Sequence, residues 1–254
     1  MIESVATRAA NGVAGRVADW FRRRLRNRLT QRLTQRLANL IAHAALCLCT
    51  AAALTPSPAA AAGDLSVNQQ LLDAARNGDA ASVDAALAAG AAVDSRNRIG
   101  DTPLITACKK GATQMARMLI EHGANVRQAD VQGITPLMAA AYGGDAQTVE
   151  LLLARGADTN AVDRVDKTAM VYASGQGNTA VVKLLLDSGI DVNRRYHNDL
   201  TALMWAAGYD RADTVKLLLA RGADATLRDN RGMTAADIAA QTKSTQAATL
   251  LSGH

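Results

Sequence analysis

With 254 residues and 49% hydrophobic side chains, the chain has enough apolar surface for a substantial core, which excludes disorder throughout. Aromatic residues make up only 3% while alanine is abundant, a balance that suits short, closely packed helices better than a barrel or sandwich. The formal charge of +5 is unevenly placed: residues 1–62 hold nine arginines against Glu3 and Asp19, and the remainder holds 19 bases against 21 acids. The part expected to fold is therefore not basic and shows no basic–aromatic stripe, so the charge footprint of a nucleic-acid binder is missing.

In chain order, the basic stretch ending at Arg36 leads into an apolar run whose uninterrupted part, residues 44–54, has the length of a signal-peptide core and is too short to span a bilayer. Pro56 and Pro58 are expected to stop a helix, and Ala60-x-Ala62 ahead of Gly63 offers a cleavage site. Residues 1–62 thus read as a basic leader and apolar export signal, cleaved on export. Counted from Leu37 the apolar stretch is long enough for an uncleaved N-terminal anchor with its basic flank in the cytoplasm. Either reading puts the folded part outside the cytoplasm. The arginine-rich, acid-poor composition also resembles a mitochondrial transit peptide. Of the three cysteines only Cys108 lies beyond the leader, so no internal disulfide is expected there.

Beyond the leader the sequence repeats. Thr102-Pro103-Leu104 is followed 33 residues later by Thr135-Pro136-Leu137, then at the same step by Thr168-Ala169-Met170, Thr201-Ala202-Leu203 and Thr234-Ala235-Ala236. Two glycine series keep that step: Gly90, Gly123, Gly156, Gly189, Gly222, and Gly78, Gly111, Gly144, Gly177. Independent series at one spacing mean stacked supersecondary units. Within one unit, Thr135 is a good N-cap and Pro136 suits the first helical position, so a helix is predicted to start there. Leu137, Ala140 and Ala141 give it an apolar face small enough for close helix approach, and Gly144 can take the positive φ that ends it. Val149, Leu151, Leu152 and Leu153 then predict a bulkier second helix ending at Gly156. The polar residues around Asp130 and Gly133 read as a projecting β-turn between units.

These residues resemble the ankyrin-repeat family, whose unit reads roughly Asp-x-x-Gly-x-Thr-Pro-Leu-His-x-Ala-Ala-x-x-Gly, then Val-x-x-Leu-Leu-Leu and Gly-Ala-Asp-x-Asn. Residues 130–144, 149–153 and 156–160 follow that pattern, and the resemblance covers about residues 65–254. It implies an all-α repeat solenoid in residues 63–254. The repeats would be a degenerate N-cap unit over 64–96, central units over 97–129, 130–162, 163–195 and 196–228, and a truncated C-cap unit over 229–254. Three departures stand out. The family's histidine is replaced by Ile105, Met138, Val171, Met204 and Asp237, so its hydrogen-bonding role is expected to be lost in every repeat. Asp166 and Asp199 occupy the turn position held by Gly100, Gly133 and Gly232, and Gln69-Gln70-Leu71 takes the place of Thr-Pro-Leu in the first unit.

No catalytic or metal-ligating constellation stands out. Gly175-x-Gly177 reads as a turn between helices, because no strand precedes it as a phosphate loop would require. Cys108 aligns with Ala141, Ser174 and Ala207 and reads as a packed small residue. A non-enzymatic chain with no cofactor or metal is expected. The resemblance implies that partners lie across the concave face formed by turn tips and first helices. There Ile99, Val131, Ile134, Val165, Leu200 and Met233 predict an apolar strip, Lys109, Lys110 and Lys167 a charged rim, and Tyr142 and Tyr209 its anchors. Trp205 reads either as a further anchor or, with Tyr172, as filling between repeats.

The expected function is a monomeric protein-interaction module, periplasmic or secreted, similar to exported bacterial ankyrin proteins of which some are linked to oxidative-stress protection. Its partner would be a protein, not nucleic acid, with membrane contact only through an uncleaved leader. An immunity or inhibitor protein that neutralises a toxin or hydrolase is the alternative, and a secreted host-directed effector the third.

Overall fold

The computed structural model describes residues 58–253; the leader reading therefore falls, up to residue 57, outside the described residues. The described chain is a row of helix pairs: α1 (Pro58–Asn77) and α2 (Ala80–Ala88), α3 (Pro103–Lys110) and α4 (Thr113–Glu121), α5 (Pro136–Gly143) and α6 (Ala146–Ala154), α7 (Ala169–Gln176) and α8 (Thr179–Asp187), α9 (Ala202–Gly208) and α10 (Ala212–Ala220), α11 (Ala235–Thr242) and α12 (Thr245–Leu251). From α3 onward, first helices pack on one another more extensively than second helices do, so the stack curves with the first helices inside.

Each first helix begins as its sequence dictates. The hydroxyls of Thr102, Thr135, Thr168, Thr201 and Thr234 accept from the backbone N–H three residues on, and Pro103 and Pro136 stand where a missing donor costs nothing. Gly144 ends α5 at φ 78. A Cβ there would lie 2.7 Å from Asn178 Oδ1, and Asn178 is held in place because its Nδ2 donates to the carbonyls of Ala141 and Tyr142. The position thus needs glycine both for its backbone and for the approach of the next repeat. Ala140, Ala141, Ala206 and Ala207 are fully buried, as close helix packing requires, and Val149 and Leu152 fill the space beneath α6.

Several expectations need correction. The first helix begins at Pro58, well ahead of Gln69-Gln70-Leu71, and the helix expected to stop at Pro56 and Pro58 lies outside the described residues. With no Thr-Pro pair at 69 to set a boundary, the strong helix formers at 59–62 extend it upstream. Gly175 is not a turn residue: it lies buried inside α7, and only Gly177 is left-handed. Asp237 keeps a polar role at the family's histidine position, accepting from the Thr234 N–H at 2.9 Å, and Met204 Sδ takes the Thr201 N–H at 3.4 Å; Ile105, Met138 and Val171 are buried and apolar.

The helix-ending series also continues where glycine stops, at Asp210 (φ 55) and Lys243 (φ 60). A side chain in that left-handed conformation costs about 1 kcal/mol relative to glycine. Lys243→Gly is therefore expected to stabilise the protein by at most about 0.5 kcal/mol once the added unfolded-state freedom of glycine is subtracted, read as a slightly higher midpoint in urea.

Candidate functional site

The turn tips are built around one acceptor each. Asn97 Oδ1 takes the N–H groups of Ile99 and Asp101, Asp130 Oδ1 those of Gln132 and Ile134, Asp163 Oδ1 those of Val165 and Lys167, and Asp229 Oδ1 those of Arg231 and Met233. Residues at the far side of such a turn are drawn inward. Ile134, Leu200 and Met233 are half-buried against the core, whereas Ile99, Val131 and Val165 stand exposed. The predicted apolar strip is accordingly split in two: three residues face solvent and three support the tips from below.

The fourth tip departs from this plan. Tyr196 replaces the acceptor, and the backbone closes through a 3-10 turn over His197–Asp199, with Asn198 and Asp199 both at φ 59. Burial pushes the Tyr196 phenol up to about 12, so it stays protonated at neutral pH. Elsewhere neighbouring tips are joined by backbone hydrogen bonds, from Val131 N–H to Ile99 O (3.4 Å), Arg164 N–H to Gln132 O (2.9 Å) and Asn230 N–H to Asn198 O (3.1 Å). Among the described residues no such bond joins Val165 to His197; instead His197 Nδ1 lies 3.2 Å from Asp166 Oδ2.

Beside the tips, the inner helices carry a row of rings. Tyr142 meets Tyr172 edge-on with centroids 5.8 Å apart, and Trp205 stacks on Tyr209 at 6.2 Å with planes 7° apart. Lys167 joins the two pairs, its Nζ 5.6 Å from the Tyr172 ring centre and 5.2 Å from that of Trp205. The Tyr172 hydroxyl donates to Asp163 Oδ2. Tyr142 and Tyr209 are both more than half exposed. At the Tyr209 end lies a cleft of about 320 Å³, lined among others by Leu200, Met204, Trp205, Tyr209, Arg231 and Ile238. A larger cleft, about 510 Å³, lies at the first tip among Gln69, Arg76 and residues 96–99; there Arg76 pairs with Asp73 and Arg96 donates to Ala129 O.

Of the predicted cations, Lys110 is exposed and Lys167 is taken up by the rings. Lys109 is an internal tie, 2.7 Å from Asp101 Oδ1 and 3.2 Å from Asp130 Oδ2. Burial alone would lower its pKa, but those two carboxylates outweigh it and raise it. Asp130 is lowered in turn: burial works against its charge, yet the Ile134 N–H and Lys109 prevail.

The row of rings was only half foreseen. Tyr172 and Trp205 sit at one repeat position, 33 residues apart, and that spacing was the available signal. Lys167, at a tip, folds onto rings from two successive first helices, a contact that no local pattern announces.

Among the described residues no group of three or more His, Cys, Asp or Glu could hold a metal. Cys108 is fully buried, and burial pushes its thiol pKa up, away from the reactive thiolate. The exposed tips and rings give the site a surface that can dock a partner.

A family model for ankyrin repeats matches three overlapping stretches, residues 71–163, 130–196 and 170–254. No curated protein matches the chain. Ankyrin repeats are protein–protein interaction modules, and since the matched stretches span most of this sequence and agree with its repeated helix pairs, the chain belongs to the ankyrin-repeat family.

Proposed function

We propose that the protein binds a partner protein across the face made by the exposed tips and the Tyr142–Tyr209 row, and that it does so outside the cytoplasm. The row carries this reading. Rings that fill a core are covered, whereas Tyr142 and Tyr209 leave more than half their surface to solvent, Tyr209 beside an apolar cleft. Exposed aromatic residues at the centre of a face are the usual anchors of an interface. Export is supported by the basic stretch, apolar run and Ala60-x-Ala62 of the leader.

Affinity capture from the periplasmic fraction with the wild-type protein is expected to yield partners that are absent when Tyr142→Ala/Tyr209→Ala is the bait. Both changes are at exposed positions, so a variant with unchanged circular dichroism and an unchanged partner set would refute the face. Fractionation of cells carrying a C-terminally tagged chain tests the location, and finding it only in the cytoplasm would overturn export.

A further inference from the structure

The tips differ in charge, and the first is the most basic. It reads Arg96-Asn97-Arg98, where the later tips have Ala129-Asp130-Val131, Val162-Asp163-Arg164, Arg195-Tyr196-His197 and Arg228-Asp229-Asn230. Asn97 serves its two N–H groups through Oδ1 as the aspartates do, but it brings no negative charge and adds an NH₂ donor. Arg76, from the last turn of α1, joins this tip around the cleft of about 510 Å³, so three guanidinium groups and no carboxylate line it. The carboxylates of this part of the chain lie outside the lining. Asp73 pairs with Arg76 on the exposed surface, where such a pair contributes little and is readily exchanged. Asp94 Oδ1 accepts from the Asn125 N–H, and Asp101, buried beneath the tip, is held by Lys109. Even with Asp73 counted against the three arginines, two positive charges are left over. Arg98 makes neither an ion pair nor a side-chain hydrogen bond among the described residues and is exposed. Arg96 donates through Nη1 to the Ala129 carbonyl at 3.1 Å, and the Gln128 amide oxygen, turned to accept, lies 3.0 Å from its Nε and 3.1 Å from its Nη2. Neutral acceptors thus fix this guanidinium without cancelling its charge, and two of its five N–H groups remain.

We infer that this cleft binds the phosphate group of a small ligand. Guanidinium forks match the paired oxygens of a phosphate, and a tetrahedral dianion has oxygens enough for Arg76, Arg96 and Arg98 together. The volume falls in the range of small-molecule sites. Ile99, 57% exposed at the same cleft, offers apolar contact to the group that carries the phosphate. The site is distinct from the Tyr142–Tyr209 row and stands whether or not that row binds a protein.

Isothermal titration calorimetry of the full chain with inorganic phosphate, pyrophosphate and citrate at one ionic strength tests it, alongside co-sedimentation with phosphatidylglycerol and phosphatidylcholine vesicles. Pyrophosphate is expected to bind more tightly than phosphate, and Arg96→Gln/Arg98→Gln to weaken it about tenfold with circular dichroism unchanged. Lys183→Gln/Lys216→Gln removes the same charge from exposed second-helix positions and is expected to leave the affinity as it was. The leader arginines are the same in every variant, so any binding they supply does not enter the difference. A lipid headgroup as the source shows as phosphatidylglycerol binding that the arginine variant loses and pyrophosphate competes away. A soluble phosphate ester is the source when only the pyrophosphate affinity falls. Pyrophosphate binding that is unchanged in the arginine variant, or that falls equally in the lysine variant, would overturn the cleft. Citrate bound as tightly as pyrophosphate would overturn the phosphate.

Discussion

Leu152→Ala is expected to lower the unfolding free energy by about 2–5 kcal/mol, measured by urea denaturation. Leu152 is fully buried in the second helix of a central repeat and belongs to the continuous apolar core of the stack. Alanine there loses the transfer energy of the missing carbons and leaves a void that alanine-rich surroundings, already at closest approach, are poorly able to fill. Because stability in a repeat array is carried by single units and their nearest neighbours, the damage should also be visible as a broadened transition. A loss below about 1 kcal/mol would show that the helices collapse into the space.

Asp163→Ala is the second large effect, expected at about 2–4 kcal/mol because it strands several partners at once. Asp163 is buried, and its carboxylate serves the N–H groups of Val165 and Lys167 and the Tyr172 hydroxyl. Asp163→Asn should recover most of the loss. An amide oxygen can accept both N–H groups, as Asn97 does at the first tip, although its NH₂ cannot accept from Tyr172. Urea midpoints for the two variants decide the matter; an asparagine variant as unstable as the alanine one would mean that the Tyr172 bond dominates.

The fold was legible because its determinants are local. A threonine hydroxyl three residues before an amide, a glycine at a left-handed helix end and a leucine stripe can each be read within a few residues, and the 33-residue step multiplies the signal. The site was less legible because it is assembled across repeats. Nothing near Lys167 in sequence indicates that its ammonium rests on Trp205, almost forty positions on, and Ile134 and Val131 look alike as letters although one turns inward and the other outward. Lys109 was misleading for the same reason: an apparently free lysine spends its charge on Asp101 within its own repeat and on Asp130 in the next. The fourth tip could have been flagged, since Tyr196 breaks the series Asn97, Asp130, Asp163, Asp229.

The helix-end contacts have a bearing on how the chain is made. Asn178 covers the Ala141 and Tyr142 carbonyls and Arg211 Nε covers that of Gly175, so the end of an inner helix is finished by a residue from the following repeat. During synthesis, a repeat that has just left the ribosome still exposes those carbonyls, and it is completed only when its successor emerges. Each pair of helices thereby finishes the one before it, so losing a repeat uncovers helix-end carbonyls in its neighbour.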